Sequence, residues 1–201
     1  MTKSSGGRPR KDEGRDLRST LLAHARELLD EGGPAALSMR EVARRTGCSH
    51  QAPYHWFRNR EAILAALIEE GFRELQAKMA AAHALVETRG VEAALEASGL
   101  TYVEFALSRP GVFRIMFRPD MCDPADYPEL RQAAIDARNE LTQLGKIADG
   151  GQVNEGKELL YWSLVHGLSC LFLDGSLGSD SECEQDPLEL AREVISMSVR
   201  L

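Results

Sequence analysis

The chain has 201 residues, 43% hydrophobic and 27% charged, an ordinary globular composition that can bury roughly 70% of the unfolded surface. No apolar run reaches the ~20 residues of a bilayer crossing, no apolar segment follows the charged N-terminus as in a secretory signal, and Cys48, Cys122, Cys170 and Cys183 form no Cys-x-x-Cys pair or zinc-ligand spacing. The net charge of −7 would by itself speak against nucleic acid, but it is unevenly divided: residues 1–60 hold 12 Lys/Arg against 7 Asp/Glu, and residues 61–201 hold 12 against 24, so a basic head precedes an acidic body.

Residues 1–15, MTKSSGGRPRKDEGR, are polar and show no apolar period, so a disordered basic arm is expected. Arg8 and Arg10 flank Pro9 in a pattern similar to arms whose arginines enter a narrow minor groove; a merely solubilising tail is the other reading. From Asp16 to about Glu31, Leu17, Leu21, Leu22, Ala25, Leu28 and Leu29 recur at helical spacing and predict an amphipathic helix that Gly32-Gly33-Pro34 stops. Ser38 and Glu41 then have capping-box spacing, with Leu37 and Val42 as a hydrophobic staple, so a second helix should start at Met39 and close near Gly47.

Ser49 is the expected cap of a third helix, His50 to about Phe57, in which Pro53 removes a needed N–H and should distort the first turn. Trp56 and Phe57 are its expected anchors, leaving His50, Gln51, Ala52, Tyr54 and His55 outward. Two short helices across a tight turn, with arginines on both flanks, have the make-up of a DNA-reading element. Arg40, Arg44, Arg45, Arg58 and Arg60 suit phosphates, with a solvated surface charge as the alternative for any one of them; Ser38, Tyr54 and His55 suit neutral backbone contacts. For base edges, Gln51 can pair with adenine, His50 can donate to guanine and Ala52 can pack on a thymine methyl.

Asn59 should cap a long helix running through Ile63, Leu64, Leu67, Ile68, Phe72, Leu75 and Met79, long enough to serve both head and body as a lever. Further helices are predicted over 91–108, from Pro110 through PGVFRIMF, from Pro128 to about Ile147, from Glu155 to Asp174 and from Pro187 onward. RPDMCDPADYP and 148–154 read as loops and 175–186 as mobile; no stretch alternates as a strand. Apolar residues go nearly all round 155–174, which marks burial on more than one face. A twofold copy of this helix and the last one would complete a four-helix bundle, with Leu160, Ser163, Gly167, Leu171, Leu188, Ala191 and Ile195 in the seam; a monomer with a buried helix is the alternative. Tyr102, Phe105, Phe113, Met116, Phe117, Trp162 and His166 could line a cavity for a small apolar or aromatic effector, or could be core packing.

Ser-Met-Arg-Glu-Val-Ala at 38–43, Gly-Cys-Ser at 47–49, Ala-Pro-Tyr-His-Trp-Phe at 52–57 and Asn-Arg-Glu-Ala-Ile-Leu at 59–64 together resemble the helix-turn-helix of the TetR/AcrR family of bacterial transcriptional regulators. Trp162, His166 and Gly167 in YWSLVHGLSCLFLDG are similar to the C-terminal domain of a TetR subgroup named for a Trp-His-Gly motif. The resemblance implies an all-α, TetR-like fold with a three-helix DNA-binding domain and a larger helical ligand-binding and dimerisation domain. It implies DNA-facing roles for His50, Gln51, Ala52, Tyr54, His55 and Arg60, the last standing where lysine is commoner. It also implies a homodimer on a near-palindromic operator.

The expected organisation is an arm over 1–15, a helix-turn-helix domain over 16–60 and an effector-binding and dimerisation domain over 61–201, in a cytoplasmic bacterial protein without membrane partner, metal or cofactor. The expected function is sequence-specific regulation of transcription, as a repressor by family analogy, with an activator of the same fold or a helical adaptor that binds no DNA as alternatives. For catalysis, Ser163, His166, Ser169 and Asp174 share one helix but lack a nucleophile elbow and oxyanion donors, and the five histidines form no metal pair.

Overall fold

The computed structural model describes residues 11–177 and 186–199, with side chains from residue 16 onward. Arg8, Arg10 and Cys183 lie outside the described residues. Among those described there is no strand, and no helix is long and apolar enough to cross a membrane. By compactness the chain divides into two units, Met1–Leu67 and Ile68–Leu201.

In the first unit, α1 (Lys11–Ala36) begins inside the stretch expected to be disordered. Once Asp16 to Glu31 is helical, each further residue adds a hydrogen bond without a new nucleation cost, so an extension toward the N-terminus is readily formed. Gly33 interrupts α1 with φ 64° and ψ −167°, a conformation open essentially to glycine alone, and Pro34 restarts one further turn. α2 (Met39–Thr46) starts as expected, with Ser38 Oγ accepting from the Glu41 N–H at 3.1 Å, and closes at Gly47. Its capping box is one-armed: both Glu41 carboxylate oxygens accept from Arg44, at 2.6 and 2.9 Å, and no bond back to Ser38 occurs among the described residues. A bidentate guanidinium offers that carboxylate a stronger partner than a lone backbone N–H.

The expected third helix is a 3-10 turn, Ala52–His55. With no N–H at Pro53, the segment closes through Ala52 N–H to Ser49 O, Tyr54 N–H to Gln51 O and Trp56 N–H to Pro53 O. Ser49 thus contributes its carbonyl, and no side chain caps this turn. Asn59 Oδ1 accepts from the Ala62 N–H at 2.9 Å and opens α3 (Arg60–His83). Leu21, Leu22, Ala25, Leu29, Val42, Phe57 and Leu64 are among the side chains buried in the core of this unit, and the Arg18 guanidinium covers the Phe57 ring at 5.5 Å.

The second unit takes the remainder of α3 together with α4 (Val86–Arg89), α5 (Val91–Ser108), α6 (Pro110–Met116), α7 (Pro128–Ala148), α8 (Glu155–Leu173) and α9 (Pro187–Ser198). A 3-10 turn, Pro124–Asp126, lies within the predicted loop. α5 is the centre and packs on α8, α9, α7 and α6. Gly99 makes this possible, since a Cβ there would stand 2.9 Å from Tyr161 Oη and 3.1 Å from Ile195 Cγ2. Ala191 and Ile195, expected in an intersubunit seam, are fully buried inside the protomer, Ile195 against α5. A side chain already covered by its own chain cannot be covered again by a partner, so these two are removed from the seam.

Candidate functional site

Two features stand out, one in each unit. In the first, the 3-10 turn and its flanks present a polar, aromatic surface. His50, Gln51, Tyr54 and His55 are exposed and Ala52 is half-buried, while Pro53 and Phe57 face the core and hold the turn in place. Trp56, expected as an anchor, is instead 41% exposed beside Tyr54 at 52%. Phe57 N–H donates to Pro53 O at 2.9 Å, an α-type step at the end of the turn that sets Pro53 and Phe57 on the inward side and leaves Trp56 off it.

The arginines around this surface are not equivalent. Arg44 is paired with Glu41, and Arg45 holds Glu31 at 2.6 and 2.8 Å. These guanidiniums keep both carboxyls below the usual carboxylate range, through side-chain hydrogen bonds in each case. Arg60 donates Nε to Leu37 O at 2.8 Å and a terminal nitrogen to Pro34 O at 2.5 Å, and so fastens the start of α3 to the joint between α1 and α2. Arg40 is exposed and meets no acidic partner among the described residues.

In the second unit, a cavity of about 680 Å³ lies among α3, α5, α7 and α8. Phe72, Leu75, Met79, Phe117, Leu141 and Trp162 supply most of its apolar wall, with Tyr102 on α5 and Arg131 and Arg138 on α7. Of the seven residues expected at a cavity, Tyr102, Phe117 and Trp162 line it, whereas Phe105, Phe113, Met116 and His166 do not. Those four belong to the packing behind it. The Phe113 ring lies 5.3 Å from His166 and 5.6 Å from Phe117, and Phe105 and Met116 are buried. α6 is a short helix buried on nearly every side, so its aromatic and thioether groups fill the core.

A hydrogen-bonded chain joins wall to core. Trp162 Nε1 donates to Tyr102 Oη at 3.3 Å, and Tyr102 Oη lies 2.9 Å from His166 Nδ1. Burial pushes the Tyr102 phenol up and the His166 imidazole down, so both groups favour their neutral forms. α8 also presents apolar side chains away from the protomer. Leu160 is 67% exposed, Leu171 is exposed and Ser163 lies beside them; Gly167 has open space where a Cβ would stand, and Met197 on α9 is 60% exposed.

A family model described as bacterial regulatory proteins, tetR family, matches residues 21–67, and one described as the tetracyclin repressor-like C-terminal domain matches residues 95–197. The chain belongs to the TetR family. It is therefore a DNA-binding transcriptional regulator, and the 3-10 turn lies within the first of the two matches. A protein of unknown function from Rhodococcus sp. RHA1 shares 27% identity at a TM-score of 0.76, with 92% of this chain and 94% of that one covered. A tetR-family regulatory protein from Rhodococcus RHA1 shares the fold at 19% identity and a TM-score of 0.70, over 92% and 95% of the two chains. FadR of Bacillus subtilis, solved in complex with stearoyl-CoA, does so at 13% identity and 0.68, over 90% and 97%. No curated protein matches the chain.

Sequence reasoning missed three parts of these sites in this TetR-family chain. The exposure of Trp56 had no signal in residue type, since a tryptophan beside Phe57 reads as a second anchor. Arg131 and Arg138 had no sequence signal beyond their shared helical face. The Arg60 clamp joins residues more than twenty positions apart and had none.

The imidazole supplies a pH test. An unfolded chain takes up a proton at His166 as pH falls through about 6.5, whereas the half-buried ring does so only at lower pH. This contribution to stability is complete above that value and is lost as pH falls toward the depressed one. Acidifying from about pH 7.5 to about 5.5 is therefore expected to lower the Tm of the wild type more than that of His166→Gln; equal losses in calorimetry would refute the assignment.

Proposed function

We propose that this regulator is a homodimeric repressor that reads a near-palindromic operator with the surface around Gln51 and is released when a small apolar or aromatic effector enters the α7–α8 cavity. The observation that carries the reading is the outward set His50, Gln51, Tyr54 and His55, held by the buried Pro53 and Phe57. Side chains on a rigid base can match base edges without first being ordered. Gln51 suits adenine, His50 guanine and Ala52 a thymine methyl, while Ser38, Tyr54 and the exposed Trp56 offer contacts to sugar and phosphate. Arg40 is the arginine best placed to take a phosphate, because no carboxylate has to be displaced first. In this reading residues 16–60 read DNA, residues 61–201 bind effector and partner, Arg8 and Arg10 reach the minor groove, and the protein acts in the bacterial cytoplasm. The cavity lies within the usual size range for small-molecule sites, and the same fold in FadR of Bacillus subtilis holds stearoyl-CoA.

Selection of bound duplexes from random DNA, followed by titration on the selected site, tests the proposal. Gln51→Ala is expected to relax sequence preference by about 1–3 kcal/mol at one position in each half-site and to leave the salt dependence unchanged. Arg40→Ala should weaken all duplexes alike and reduce the salt slope by about 1 per phosphate lost. A wild-type protein that binds every duplex equally would refute the reading of base edges.

A further inference from the structure

Taking the cavity as the effector site, the geometry points to a more specific occupant: a carboxylate on an aromatic or aliphatic body, with its charged end at Arg131 and Arg138. In this acidic unit, arginines ordinarily meet carboxylates. Arg73, Arg109, Arg114, Arg118 and Arg192 each stand within 4 Å of a glutamate or aspartate. Arg131 and Arg138 are exposed, line the cavity and have no such partner among the described residues. Two turns apart on α7, they rise about 10.5 Å along one helical face, a gap that two extended guanidinium arms close over a single anionic group. Ala134 lies between them on the same wall and leaves room for that group.

The cavity also has two glutamates, and they are differently placed. Glu158 Oε2 accepts from Thr142 Oγ1 at 3.1 Å, its side chain lies across Gly145, and Oε1 is buried without a hydrogen-bond partner, so this carboxylate is held against the α7–α8 wall. Glu155 stands in the first turn of α8, where unpaired N–H groups offset its charge. The two exposed arginines thus share the cavity lining with a mostly apolar set of side chains. An amphiphile with one anionic end meets both, and a bidentate guanidinium–carboxylate pair is the strongest polar contact available at such a mouth.

Calorimetric titration of the full chain with 2-naphthoate, 2-naphthalenemethanol and 2-naphthylmethylammonium separates the possibilities. The acid is expected to bind at least about tenfold more tightly than the alcohol, with the ammonium weakest. Arg131→Gln with Arg138→Gln should abolish the preference for the acid and leave the alcohol unchanged, while the double lysine variant keeps part of it. Both positions are exposed, so an unaltered melting curve confirms that the variants fold. An alcohol that binds as well as the acid, or an ammonium that binds better, overturns the inference. If none of the three binds, the inference and the effector reading fail together; if the acid binds through the arginines without releasing DNA, only the effector reading fails.

Discussion

Replacing Leu160 by aspartate is expected to convert a dimer into a monomer at micromolar concentration and to lower operator affinity by about 100-fold or more. Leu160, Leu164, Gly167 and Leu171 fall on one stripe of α8, and Leu160 and Leu171 are exposed although α8 is among the most apolar helices of the chain. Leu159, also exposed, belongs to the cavity wall instead, so the two neighbouring leucines serve different surfaces. In a twofold seam each aspartate would be buried against apolar side chains with no partner, and the defect would occur twice, each copy costing several kcal/mol. Loss of the dimer separates two reading surfaces whose contacts would otherwise add on one palindrome. Analytical ultracentrifugation and binding to the selected duplex read both effects. Were the aspartate variant still a dimer, the seam would have to lie elsewhere; a wild type that is already monomeric would remove the seam altogether.

Arg60→Ala is expected to lower the stability of the N-terminal unit by about 2–3 kcal/mol and to weaken binding to all duplexes alike. Family likeness assigns this position to DNA, yet its guanidinium is engaged within the protein, on Pro34 O and Leu37 O. Both carbonyls lie at the corner where Gly33 turns the chain from α1 toward α2, and removal of the guanidinium leaves Leu37 O without a donor and Pro34 O with only the Leu37 N–H at 3.3 Å. The corner sets where Ser38 and α2 stand, and through α2 the exposed turn that follows. Arg60→Lys distinguishes this clamp from a phosphate contact. Lysine supplies charge but gathers its donors on one nitrogen and lacks the guanidinium's separated Nε and terminal donors, so it should restore little of the lost Tm. Full recovery of DNA affinity by lysine, with an unchanged Tm in Arg60→Ala, would return the residue to the phosphate backbone.

The sequence by itself determined most of the helices and many of their ends, though not the 3-10 form of the turn at Ala52–His55, the start of α1 or the short α4. Ser38, Asn59 and Asn154 accept from N–H groups three residues on, and Pro110, Pro128 and Pro187 open helices where they were expected to. Such bonds join near neighbours in the chain, so residue type and spacing are enough to reveal them. Charge division between the two parts and the motif around Gln51 are legible for the same reason, and they carried the family resemblance.

Only the tertiary structure decided which way side chains on equally apolar helices would point. It placed Phe105, Phe113, Met116 and His166 in the core behind the cavity and Ala191 and Ile195 inside the protomer; it also turned Trp56 outward and drew Arg60 onto distant carbonyls. It brought Arg131 and Arg138 from α7 to the same space as Trp162 from α8. A helix apolar on every side has no preferred face of its own. Its orientation is settled by the volumes and hydrogen-bonding groups of helices far away in the chain, and no local pattern encodes those.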